Sequence, residues 1–213
     1  MTRKPLVTRF HLLVFAVLIA ITATALVKVP ADAGLPVHWG FDGKPDQVWP
    51  RNPALAVMPA IGLALTAVFA LVGQVAPVEQ IEPGRNMAEA MLTWLLGLLC
   101  AIQFSLILIG VGSDIDMVRL VAFAVAALLL VVGGLLTQAS PNAYAALRLP
   151  WTMRSASAWT AVHRLTGALL ALGGLGLGAV AWLRPQPADM LFGIGAAIVV
   201  PLVVGMLFSL IPR

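Results

Sequence analysis

The chain is short of charge. Asp, Glu, Lys and Arg make up only 10% of its 213 residues, against roughly 25% in an ordinary soluble domain. So few ionised groups cannot cover a water-facing surface. With 61% hydrophobic residues and a mean hydropathy of +0.98, the solvent is lipid. Cysteine is also scarce. Cys100 stands alone in an apolar run, which excludes an internal disulfide and reads as a small hydrophobe. There is no CxxC, no HExxH, no nucleophile elbow and no pair of aspartates, so no metal site or cofactor is called for and an enzyme is not expected. The basic residues are scattered, not gathered on one polar face, which argues against nucleic acid as a partner. The net charge of +4 is therefore read as membrane orientation.

What is present is long apolar runs. A bilayer-spanning helix needs roughly 20 mostly apolar residues, and six segments qualify: Phe10–Val27, Pro53–Pro77, Ala88–Gly112, Val118–Gln138, Ala161–Leu183 and Asp189–Ile211. The fold expected is all-α, a polytopic transmembrane helix bundle of six spans with a short structured extracytoplasmic loop. Glu79, Glu82, Pro83, Gly84 and Arg85 break one connection, Ser113, Asp114 and Asp116 the next, and Arg184, Pro185 and Pro187 the last. The first run, preceded by Arg3, Lys4 and Arg9, exceeds the usual signal-peptide core of roughly 7–15 residues and reads as an uncleaved anchor. Gly174 and Gly178 in the fifth span have the spacing that lets helix backbones approach closely, within the bundle or between copies. Pro59 and Pro201 lie inside spans, where the backbone groups they free must find partners in the bundle.

Lys and Arg bias sets topology. With the N-terminus inside, Arg3, Lys4, Arg9, Arg85, Arg148, Arg154, Arg164 and Arg213 are cytoplasmic, and Lys28, Lys44, Arg51, Arg119 and Arg184 are outside. Both termini are expected in the cytoplasm.

Two loops carry the polar information. The outer one, 28–52, contains Pro30, Pro36, Pro45 and Pro50 with Gly34, Gly40 and Gly43, and Asp42-Gly43 is a strong turn signal. Val37, Trp39 and Phe41 alternate before it, so a small hairpin capping the bundle is expected, with Trp39 and Trp49 at headgroup level. His38, Asp42 and Asp46 are metal-competent types, but their spacing fits no closed zinc pattern; the carboxylates are expected to accept nearby backbone N–H groups.

The inner loop, 139–159, leads into the fifth span and collects Asn142, Arg148, Pro150, Trp151, Thr152, Arg154, Trp159, His163 and Arg164. A membrane protein keeps cations, an imidazole and indoles together where water, headgroups or a partner satisfy them. Ser155 or Ser157 is placed to cap the helix, Thr152 to bond locally, and Trp159 and His163, four apart, to share a face. Interface anchoring explains the arginines and tryptophans one at a time. It does not explain Asn142, Pro150, Thr152 and His163 between them.

This second run resembles the SdpI family of bacterial multi-span membrane proteins. The family pattern is roughly Asn, an aromatic, Gly-x-Arg-x-Pro-Trp-Thr, a spacer, Trp, then His-Arg with a glycine. Asn142, Tyr144, Arg148, Pro150, Trp151, Thr152, Trp159, His163, Arg164 and Gly167 stand in those places, with Ala146 where glycine is usual. The outer loop is similar to the domain of unknown function that often precedes the SdpI region: Pro36, His38, Gly43, Pro45 and Asp46 match, while an earlier Leu-Pro pair is replaced by Ala31-Asp32. The resemblance implies an N-terminal two-span module, 1–77, and an SdpI-like four-span module, 88–211. It also implies a place in the bacterial cytoplasmic membrane and a role in immunity to an antimicrobial peptide, coupled in some members to sequestration of a repressor. The outer loop, with His38, Trp39 and Trp49, would meet a peptide toxin or envelope ligand. The inner loop, with Arg148, Trp151 and Arg154, would meet a cytoplasmic regulator. The alternative is a small-molecule or peptide transporter, for which Thr66, Gln74, Thr93, Gln103 and Ser105 are the polar groups at depth.

Overall fold

The structure is a computed structural model and describes residues 4–141, 147, 149, 151–183 and 186–211. Six of its helices are long and apolar enough to cross a membrane, and the chain is a multi-pass membrane protein. α1 spans Arg9–Lys28 and is opened by Thr8, whose hydroxyl accepts the His11 N–H while the His11 ring accepts the Thr8 N–H. A hairpin follows, β1 (Gly34–Trp39) antiparallel to β2 (Pro45–Pro50). α2 (Arg51–Val75), a short α3 (Val78–Ile81) and a 3-10 turn lead into α4 (Arg85–Gly110). α5 (Met117–Thr137) is capped by Asp116, which accepts the Arg119 N–H at 2.9 Å. α6 (Ala156–Leu183) and α7 (Pro187–Phe208) complete the chain.

α1, α2 and α4 pack on one another, as do α5, α6 and α7, and α4 also touches α5. The first group buries Leu18 against Leu92, Leu96 and Leu99, and Ala25 and Val29 against Leu55 and Leu106. The second buries Ala126 and Leu129 against Leu170 and Leu177. Glycines set the distance between α5 and α6. A methyl at Gly133 or Gly167 would stand 2.6 Å from the other's carbonyl oxygen, and one at Gly174 would stand 2.8 Å from that of Ala126. Gly174 thus works inside the bundle.

The contacts fix which loops share an end. The Arg85 guanidinium bonds the Lys4 and Pro5 carbonyls at 3.2 and 3.3 Å. At the opposite end the hairpin caps the helices. Leu35 and Val29 crowd Gly110, Gly43 meets Pro187, and Phe41 stacks on Phe192 with ring centroids 6.0 Å apart. Gly43 has φ +75°, the left-handed backbone that the turn needs and glycine adopts freely.

Candidate functional site

The end of the bundle opposite the hairpin holds a built cluster. α6 begins at Ala156, five residues ahead of the apolar run, because Ser155, one of the two caps expected, accepts the Ala158 N–H at 3.2 Å through its hydroxyl and nucleates the first turn there. Trp159 and His163 therefore lie within the helix, fully buried, their rings stacked with centroids 3.9 Å apart. The Trp159 indole N–H donates to the Ala139 carbonyl at 2.8 Å and so ties the end of α5 to α6.

His163 has both nitrogens engaged. The Leu147 N–H reaches Nε2 at 3.0 Å, and a backbone N–H can only donate, so Nε2 is unprotonated. The proton therefore sits on Nδ1, which donates to the Trp159 carbonyl at 2.7 Å. The ring is a neutral bracket between the loop and the helix. Thr152, also fully buried, donates to the Leu149 carbonyl at 2.9 Å, the local bond expected of it. Trp151 is 41% exposed, yet its indole N–H donates to the Ser209 hydroxyl at 2.9 Å, fastening the loop to the end of α7. Arg164 is exposed. Asn142, Tyr144, Arg148, Pro150 and the side chain of Arg154 lie outside the described residues.

At the other end the hairpin forms as expected. Asp42 accepts the Lys44 N–H at 3.1 Å, as a turn carboxylate does. Asp46 differs from expectation: it pairs across the strands with His38 Nδ1 at 2.6 Å, both side chains exposed. The cause is register, since β1 and β2 set His38 opposite Gln47, beside Asp46. Pro36 is buried in the middle of the ladder, opposite Val48, and Pro45 is exposed at its turn end, opposite Trp39. Trp39 packs inward against the buried residues of both halves of the bundle, while Trp49 stays 45% exposed. Among the described residues no three His, Cys, Asp or Glu side chains stand close enough to hold a metal ion.

Two buried polar groups have roles that sequence reasoning did not assign. His11 sits in α1, its Nδ1 accepting the Thr8 N–H and its Nε2 donating to the Glu89 carbonyl and Thr93 hydroxyl, each at 3.0 Å. A Thr three residues ahead of a histidine at a helix start was the available signal. Gln103 donates through Nε2 to the Thr22 hydroxyl and the Leu55 carbonyl, each at 2.9 Å, and so joins α4 to α1 and α2.

Residues 138–212 match the model of the SdpI/YfhL protein family. The match covers the loop after α5, α6 and α7, and therefore takes in Trp151, Thr152, Trp159 and His163. No curated protein and no solved structure matches the chain.

Proposed function

With this chain an SdpI/YfhL family membrane protein over residues 138–212, we propose that it is a non-enzymatic immunity or signal-transducing protein of the bacterial cytoplasmic membrane. Its hairpin faces outward to a peptide toxin or envelope ligand, and its 139–155 loop faces a cytoplasmic regulator. The observation that carries this reading is the state of His163. Both ring nitrogens are committed to backbone groups, so the one imidazole in the cluster has no free nitrogen for proton transfer. Trp151, Thr152 and Trp159 likewise spend their polar atoms on shaping the loop. Side chains used this way build a surface for recognition.

Gln103, fully buried in the bundle, spends its two donors on holding helices together, which favours this reading over transport. The test is protection. The chain is produced in a susceptible bacterium, which is then challenged with a broad panel of membrane-active peptides. The expected result is a several-fold rise in the inhibitory concentration of at least one peptide, lost when Trp151 and His163 are both replaced. Unchanged sensitivity to every peptide would overturn it.

A further inference from the structure

We propose that the seam between α4 and α5 holds one phospholipid, its acyl chain wedged between the two halves of the bundle. Two hollows lie along that seam. One, of about 420 Å³, is lined by Phe10 and Val14 of α1, by Trp94, Gly97 and Ala101 of α4, and by Leu128 of α5. Thr93 lines it too, but spends its hydroxyl on His11. The other, of about 140 Å³, is set between Asn86 and Met87 of α4 and Leu135 and Gln138 of α5. Met87 and Trp94 are seven apart in α4, as are Leu128 and Leu135 in α5. Residues seven apart share a helix face, so the two hollows follow one line.

Depth assigns each hollow a part of the ligand. α1 has 20 residues, which at about 1.5 Å each matches a hydrocarbon core of roughly 30 Å. Arg9 and Lys28 therefore mark the two boundaries. Thr93 stands level with the first turn of α1, since its hydroxyl bonds the His11 ring at 3.0 Å. Trp94 thus lies just inside the boundary. A long side chain leans toward its helix N-terminus, so the indole reaches back to ester depth. Asn86 lies eight residues earlier in α4, about 12 Å nearer water, among headgroups. Gly97 and Ala101 lie deeper, in hydrocarbon.

The group that calls for a ligand is the Trp94 indole. Trp94 is 38% exposed, and among the described residues its N–H has no hydrogen-bond partner. An indole N–H facing hydrocarbon without an acceptor is costly. A lipid ester carbonyl at that depth is the acceptor it lacks. The Asn86 amide, exposed at headgroup level, is likewise unbonded among the described residues. No charged side chain among them lines either hollow, so the headgroup is held through hydrogen bonds to its phosphate. The α6–α7 face has a comparable hollow, about 450 Å³ around Gly173, Gly176 and Pro201, but no polar side chain among the described residues lines it. It offers nothing to select one lipid molecule from the bilayer.

Native mass spectrometry of the full chain in detergent tests the site. The delipidated protein is titrated with dioleoyl phosphatidylethanolamine and dioleoyl phosphatidylglycerol in equal amounts. One phospholipid per chain is expected to survive detergent concentrations that strip the rest. A methyl at Gly97 would meet nothing within 4 Å, so Gly97→Leu folds and its side chain enters the groove. The bound fraction is then expected to fall about tenfold, the size of an overpacking penalty. Trp94→Phe keeps a ring and removes the N–H, for an expected fall of about fivefold, the size of one hydrogen bond. Gly176→Leu, which enters the α6–α7 hollow, is expected to change nothing. No retained phospholipid would overturn the site. So would full retention by either Gly97→Leu or Trp94→Phe, equal losses in Gly97→Leu and Gly176→Leu, or a dimer of the chain in place of the lipid adduct. The assay needs no toxin or regulator, so its outcome is separate from that of the protection assay.

Discussion

His163 does its work through geometry. Its ring stacks on Trp159 and bridges the Leu147 N–H to the Trp159 carbonyl, so it is at once packing and fastener. Phenylalanine keeps the stacking area and removes both bonds. The helix still occupies the Trp159 carbonyl, but the Leu147 N–H loses its acceptor, a loss of about 1–3 kcal/mol. His163→Phe is therefore expected to leave the bundle folded and release the loop, read as faster proteolytic cutting between 139 and 155; unaltered cutting would contradict the bracket. Gly205 offers a second test. A methyl there would run into the Thr166 hydroxyl, which is buried and, among the described residues, without a hydrogen-bond partner. Gly205→Ala is expected to lower stability by about 1–3 kcal/mol through overpacking, and Thr166→Ala in the same chain to recover most of it. Thermal unfolding in detergent measures both.

Among the elements, the α5–α6 crossing depends most on single atoms. Gly133 and Gly167 bring two backbones together, whereas a methyl at Gly176 would meet nothing within 4 Å. Gly167→Ala is expected to cost about 1–3 kcal/mol, and Gly176→Ala to be neutral or slightly stabilising, since alanine is the better helix former by about 1 kcal/mol. Equal losses would contradict this packing. At this scale the sequence was readable in some respects and closed in others. All six spans were legible, because 18-residue apolar windows leave little alternative. The start of α6 was legible through its cap and not through hydropathy: the apolar run alone begins at Ala161, while Ser155, one of the two serines expected to cap the helix, starts it at Ala156. The sharing of one face by Trp159 and His163 followed from their spacing, but their partners did not. Those are the Ala139 carbonyl, the Leu147 N–H and, for Trp151, the Ser209 hydroxyl, and backbone atoms leave no mark in composition. The same limit hid His11, whose partners Glu89 and Thr93 are 78 and 82 residues away.

For the molecule as a whole, the proposed function depends on two ends that face opposite compartments. The hairpin reaches both halves of the bundle, since Trp39 packs against each of them and the turn touches α7 through Gly43–Pro187 and Phe41–Phe192. A ligand that shifts the hairpin thus acts on α2 and α7 together, and α7 carries Ser209's neighbours at the loop end. Such coupling requires that the loop of Trp151 and the turn of Gly43 lie on different sides of the bilayer. Cysteine accessibility in intact cells measures this directly. In a Cys100→Ser background, Lys44→Cys is expected to react with a membrane-impermeant maleimide before lysis, and Ser157→Cys only after it. Labelling of Ser157→Cys in intact cells, with Lys44→Cys protected until lysis, would contradict the proposed orientation and the functional reading built on it.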